Sequence, residues 1–231
     1  METLKVNFID PDHENRLFEI SQKHPQIFEK FCRNLLNTNV NMIGEGNAAK
    51  VFFIGKNPRY CVKVIKTEMD AGAVQSSIGL EAHIQKRVHN LSRNPFVPKP
   101  KMYIEKGESE TTELLIMERI FGATIGDVIH GAAHLPEDFD INKFFDQLYE
   151  CVETLHKNDI HHRDLHEGNV MIDYETNEPK IIDFGAAVDS VGMDDLEIYD
   201  LSIAGLGTKK RLSDLSYVKK LKKMLLESLQ K

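Results

Sequence analysis

The chain has no tryptophan and only three cysteines, Cys32, Cys61 and Cys151, in 231 residues. An odd number of widely spaced cysteines with no C-x-x-C pair excludes a disulfide framework and a zinc knuckle. It reads as a protein of a reducing, cytoplasmic compartment. Long apolar runs are also lacking: Leu114-Leu115-Ile116-Met117 falls far short of the roughly 20 residues that a membrane-spanning helix needs. The opening Met1-Glu2-Thr3-Leu4-Lys5 has neither the basic segment nor the apolar stretch of a secretory signal. Apolar residues at 41% and charged residues at 28% are ordinary globular proportions and exclude disorder and low complexity. An excess of positive charge is missing too. The formal charge is −7; positions 209–231 hold eight Lys or Arg and two acids, a local +6, which leaves −13 on the rest. Phosphates would be repelled over most of such a surface, so general nucleic-acid binding is excluded outside the tail.

What is present changes character along the chain. Residues 12–38 read as two helical pieces broken at Pro25, the second with Phe28, Phe31, Cys32, Leu35 and Leu36 on one face. Three strands are predicted next: one ending at Gly44, one over 50–54 and one over 59–66, the last two separated by Gly55 and Asn57-Pro58. A long helix over 71–92 is stopped by Asn94-Pro95, and strands follow over 101–105 and 113–119. Beyond Gly122 the pattern is mostly helical: 142–156, 195–205 and 214–229, with two short strands at 170–173 and 180–182. A strand-rich first half and a helix-rich second half suggest an α+β protein of two lobes with a cleft between them.

Four constellations carry chemistry. Ile43-Gly44-Glu45-Gly46-Asn47-Ala48-Ala49-Lys50-Val51 lies between strands, and Gly44 and Gly46 allow backbone N–H groups to approach a polyphosphate. It is not a P-loop, because Ala49 and Val51 replace the required Gly and Ser/Thr and a strand follows. Lys63 stands among apolar residues in a strand, so it needs an anionic partner if buried. Glu81 falls inside the stripe Val74, Ile78, Ile84, Val88 and Leu91 of the next helix, and a Lys63–Glu81 ion pair is predicted. The third is His161-His162-Arg163-Asp164-Leu165-His166-Glu167-Gly168-Asn169. Its imidazoles, with His156, could be read as a metal cluster. Arg163 would repel a cation there, and the segment runs into a strand. The fourth is Ile181-Ile182-Asp183-Phe184-Gly185.

In order and approximate spacing, Gly44-x-Gly46-x-x-x-x-Val51, Lys63, Glu81, His162-Arg163-Asp164-x-x-x-x-Asn169 and Asp183-Phe184-Gly185 resemble the protein-kinase signature set, over about residues 40–205. The resemblance implies a bilobal kinase-like fold with a β-rich N-lobe and a mostly helical, truncated C-lobe. The segments would be a helical extension over 1–39, an N-lobe over 40–119 and a shortened C-lobe over 120–231. It also implies ATP and Mg²⁺ as cofactors. Ile43, Gly44, Gly46 and Val51 would cover the nucleotide. Lys63, oriented by Glu81, would hold its phosphates, and the stretch from Met117 through Glu118 to Ile120 would bind adenine. Asp164 would accept the proton of the attacking hydroxyl, and Asn169 and Asp183 would hold the metal.

The chain departs from the pattern in three places. Ala49 replaces the third glycine. His166 stands where serine/threonine kinases usually carry a lysine, and Asp-Leu-His-x-Gly-Asn looks more like aminoglycoside- and choline-type phosphotransferases. No A-P-E follows Gly185, and Asp200-Leu201 is the loose candidate for the aspartate that anchors the catalytic loop. A short lower lobe of this kind resembles the atypical RIO kinases and the kinase-like ATPases of tRNA threonylcarbamoylation. The expected activity is transfer of a γ-phosphoryl group to a Ser or Thr hydroxyl of a protein; the alternatives are a small hydroxylated acceptor, an RNA-associated ATPase and a silent scaffold. Leu215, Val218, Leu221, Leu225 and Leu229 predict a terminal helix packed on the lower lobe, with RNA or an anionic surface as the other reading of its lysines.

Overall fold

Residues 50–54 and 59–66 are short, largely apolar runs separated by turn signals, and the computed structural model pairs them in a sheet. It describes residues 6–9, 16–24, 26–28, 30, 42–46, 48–54, 57–66, 77–105, 113–191 and 213–230. They fall into two units: Met1–Lys86 with Lys99–Arg119, and Arg87–Pro98 with Ile120–Lys231.

In the first unit β1 (Val6–Phe8), β2 (Met42–Glu45), β3 (Ala49–Ile54), β4 (Asn57–Ile65), β5 (Pro100–Ile104) and β6 (Leu114–Glu118) form one sheet in the order β1-β5-β6-β4-β3-β2. Every described pairing is antiparallel. Central β4 is buried at every position from Cys61 to Ile65. Alternate side chains therefore go to opposite faces. Val62, Val64, Leu114, Ile116, Met102, Ile104, Phe52 and Phe28 pack on one face, against which Ile20 of α1 (Arg16–Lys23) also lies. Cys61, Ile65, Leu115, Met117, Tyr103 and Ala49 pack on the other, together with Ile78 and Ala82 of α2 (Ile78–His89).

The sequence reading differs from this unit at three points. The first 39 residues were expected to be helical only, whereas Val6–Phe8 pairs with Met102–Ile104 at the sheet edge. Pro58, expected in a turn, lies inside β4. Residues 87–98, expected with the first lobe, group with the second unit. The reason lies in their backbone: Ile181 N–H donates to the Phe96 carbonyl at 2.8 Å and Lys180 Nζ to that of Pro95 at 2.9 Å. Of the expected helical stripe over 28–36 only Phe28 is described; Val74 and the helix over 195–205 also lie outside the described residues.

The second unit centres on α4 (Ile141–Lys157), whose Phe144, Phe145, Leu148, Val152 and Leu155 are buried at the predicted helical spacing. Asp140 caps it by accepting the Lys143 N–H. Before it come β7 (Gly122–Thr124) and α3 (Ile125–Ile129), whose start is fixed by a capping box of Thr124 and Asp127. β9 (Val170–Asp173) pairs with β7 on one side and β10 (Pro179–Ile181) on the other, and β8 (Ile160–His161) pairs with β11 (Val188–Asp189). Gly122 is required where β7 meets β9: a Cβ there would lie 1.8 Å from the Ile172 carbonyl oxygen. The last helix, α5 (Asp214–Ser228), buries Val218, Leu221 and Leu225 and leaves Lys219, Lys220 and Lys223 exposed. Leu229, expected on the buried stripe, is past the helix end and exposed. Among the described residues no helix is long and apolar enough to cross a membrane.

Candidate active site

Parity along β4 decides where Lys63 points. It shares the face of Cys61 and Ile65, which is the face that α2 covers. Glu81, in the first turn of α2 between Ile78 and Ala82, is on the helix side turned toward the sheet. The two meet: Lys63 Nζ donates to Glu81 Oε1 at 2.7 Å and to Oε2 at 2.9 Å, with 3% and 1% of the residues exposed. A buried lysine and a buried glutamate are each costly alone and tolerable as a pair. One turn further on, Gln85 is also buried, and its amide nitrogen lies 3.5 Å from Met117 Sδ. Gln85 has no place in the sequence reading, although its position four residues after Glu81, on the same helix face, was the available signal.

The β2–β3 hairpin holds the glycines. Gly44 pairs with Val51 and Glu45 with Lys50, and Gly46 N–H closes the turn on the Ala49 carbonyl at 2.9 Å. A Cβ on Gly44 would touch nothing within 4 Å, and one on Gly46 would meet only the Ala49 carbonyl oxygen at 3.9 Å. Among the described residues no packing demands these two glycines. Ile43 is 41% exposed, unusual for a large aliphatic on a strand, while Val51 packs against the α2 face of the sheet. Glu118 ends β6; its N–H goes to the Lys99 carbonyl at 2.9 Å and its carboxylate to Lys101 at 3.1 Å. Ile120 opens the second long segment of the other unit.

In the second unit the loop between β8 and β9 is folded onto its own backbone. Asn169 Nδ2 donates to the Asp164 carbonyl at 2.8 Å, and Asn169 N–H to that of His166 at 2.9 Å. The antiparallel β9–β10 pairing then brings the next segment alongside: Ile182 N–H donates to the Asn169 carbonyl at 3.0 Å, so Asp183 follows one residue beyond. Asp183 has φ 63° and Arg163 φ 65°, left-handed conformations that cost most non-glycine residues energy and cluster at functional loops. Asp183 Oδ1 accepts the Gly185 N–H at 3.2 Å, a local bond that helps hold its own turn. His162 is fully buried, its Nε2 3.0 Å from the Ile182 carbonyl oxygen and its ring edge-on to Phe184.

Asp214 anchors this loop; Asp200, the expected anchor, lies outside the described residues. Asp214 opens α5 and its carboxylate accepts the N–H of His162 at 2.9 Å and of Arg163 at 3.0 Å, with His156 Nε2 at 3.2 Å. Burial pushes this carboxyl up, but the His156 imidazole, the nearby His162 and the donated N–H outweigh it and hold it below the ordinary carboxylate range. Asp214→Asn turns an amide toward at least one of those N–H groups. It is expected to cost about 1–3 kcal/mol, measured by urea unfolding; an unchanged midpoint would contradict the anchoring role.

The His161 ring lies tilted against that of His156, with centroids 4.9 Å apart. Burial, and then the charge of His156, pushes the His161 imidazole below its ordinary range. Between that range and the lower folded value, the unfolded chain takes up a proton that the folded chain resists, so stability falls as pH drops below about 6.5. His161→Val is expected to flatten this slope between pH 7.5 and 5.5. A stability difference between variant and parent that stays constant over that range would refute it.

The protein kinase domain family model matches residues 37–200, more than half of the chain. A probable serine/threonine-protein kinase KIN1 homolog of Encephalitozoon cuniculi is 26% identical over 155 residues, 63% of this chain and 26% of that protein. A probable serine/threonine-protein kinase MARK-C of Dictyostelium discoideum is 31% identical over 147 residues, 62% of this chain and 18% of that protein. The matched stretch is thus about a quarter or less of these relatives' length. The solved structure of the Cydia pomonella granulovirus kinase PK-1 has a TM-score of 0.48 and 19% identity over 65% of this chain and 52% of that one. From the family match over residues 37–200, the chain belongs to the protein kinase domain family.

Proposed function

We propose that the chain is an ATP- and Mg²⁺-dependent phosphotransferase that delivers a γ-phosphoryl group to a Ser or Thr hydroxyl of a protein. The observation that carries this is the buried Lys63–Glu81 pair, bonded at 2.7 and 2.9 Å. Two buried charges add little to stability over apolar residues of the same size, so a role in binding is the better account of them. Lys63 binds the α- and β-phosphates, held in place by Glu81. The Gly44–Gly46 turn covers the phosphates, its glycines leaving room for them, with Ile43 and Val51 against the base and the backbone of Glu118 and Ile120 at its edge. Asp164 takes the proton of the acceptor hydroxyl.

Asn169 and Asp183 are the residues that would hold Mg²⁺. The donor set fits: with Nδ2 of Asn169 committed to the Asp164 carbonyl, Oδ1 is the atom left for a ligand. An amide oxygen and a carboxylate are the hard donors that this ion takes. When bound, the ion neutralises phosphate charge. The serine/threonine acceptor rests on the names of the relatives, both serine/threonine-protein kinases. The test is incubation of the purified chain with γ-labelled ATP and a generic protein acceptor. Label on Ser or Thr of protein is the expected result. Label only in small molecules, or none in either, overturns the assignment.

A further inference from the structure

His166 departs from the kinase pattern, and its surroundings are built in a specific way. Gly168 N–H donates to His166 Nδ1 at 3.0 Å. A nitrogen that accepts carries no proton, so the neutral ring bears its hydrogen on Nε2. That Nε2 lies 3.8 Å from Asp164 Oδ2, with both side chains partly open to solvent. The ring is folded back over its own loop and can be so only because residue 168 lacks a side chain: a Cβ there would stand 2.9 Å from Cε1 and 3.2 Å from Nδ1. His166 and Gly168 are therefore one device.

We infer that His166 is a positioning residue for Asp164, presenting an Nε2–H whose direction is set by the Nδ1 bond to Gly168 and which orients the carboxylate toward the acceptor hydroxyl. The inference rests on the phosphotransfer reading above. The 3.8 Å separation is longer than a hydrogen bond; with the ring held on Gly168, the contact is completed by a turn of the Asp164 side chain. No change of protonation is required. A lysine at this position would offer a mobile charge, whereas the imidazole offers a fixed, uncharged donor.

The experiment combines kinetics with a direct view of the ring. His166→Phe keeps a ring over Gly168 and removes the donor. It is expected to lower kcat about ten- to a hundredfold, the scale of a misplaced catalytic group, with KM for ATP unchanged. His166→Gln, which restores an N–H donor, recovers most of the loss. Gly168→Ala, which displaces the ring, lowers kcat to a similar extent, and the Gly168→Ala/His166→Phe double variant is no slower than the slower single one. In long-range ¹H–¹⁵N spectra of the ¹⁵N-histidine-labelled chain, the signals lost in His166→Phe show the Nε2–H form. A chain that transfers phosphate normally while His166→Phe keeps its kcat overturns the positioning role alone. So does an Nδ1–H form, or additive losses in the double variant. A parent chain that transfers nothing overturns the phosphotransfer reading and this inference with it.

Discussion

Lys63→Met is expected to lower phosphoryl transfer by about 10²–10³-fold, the loss that follows removal of one preorganised charge donor. It is also expected to destabilise the fold by about 3–5 kcal/mol, because Glu81 is left buried without its cation. Both losses come from one geometry: Nζ bonded to both oxygens of Glu81, 3% and 1% of the residues exposed, on the sheet face of Ile65 and Leu115 against which Ala82 of α2 packs. They have separate remedies. The Lys63→Met/Glu81→Leu double variant replaces the pair with apolar side chains of similar volume and is expected to regain most of the stability, since such replacements are neutral or favourable. Transfer stays lost, as no cation faces the phosphates. Urea unfolding of the three proteins, beside transfer from γ-labelled ATP with folding checked by circular dichroism, separates the two effects. A double variant that transfers phosphate, or a single variant as stable as the parent, would show that the pair serves another purpose.

The pair was legible because two local patterns meet in it. The apolar run around Lys63 in Cys61-Val62-Lys63-Val64-Ile65 marks a buried strand, and the helical stripe through Ile78 and Ile84 puts Glu81 among core residues. The hairpin glycines and the loop from His162 to Asn169 were legible through order and spacing. What stayed hidden has no period of its own. Val6–Phe8 and Gly122–Thr124 are three residues each, and Ile160–His161 with Val188–Asp189 two each. Segments so short become strands only because another backbone presents its donors and acceptors to them. The resemblance to kinases points to Asp200 as an anchoring aspartate, a residue outside the described ones. Asp214 performs the task across 52 residues from His162, and no local pattern encodes a contact of that span. The bond between His166 and Gly168 is hidden for another reason: the motif gives the residue types, while the ring's direction depends on what a missing Cβ permits.

Asp183→Asn isolates charge from conformation in the second unit. Asp183 sits at φ 63°, where asparagine is among the few residues that fit without strain, and the amide oxygen of Asn can still accept the Gly185 N–H. The fold should therefore be nearly unchanged, with a melting temperature close to that of the parent. Transfer is expected to fall by about 10²–10³-fold, as one charged partner of the phosphate-bound metal is lost, and the Mg²⁺ concentration for half-maximal transfer should rise. Asp183→Ala should lose transfer to the same degree and in addition about 1–2 kcal/mol of stability, because alanine pays the left-handed penalty and cannot close the turn. If the two variants were equally stable, the turn bond at 3.2 Å would have no structural weight. If Asp183→Asn transferred phosphate as the parent does at the same Mg²⁺, the carboxylate would not be a ligand.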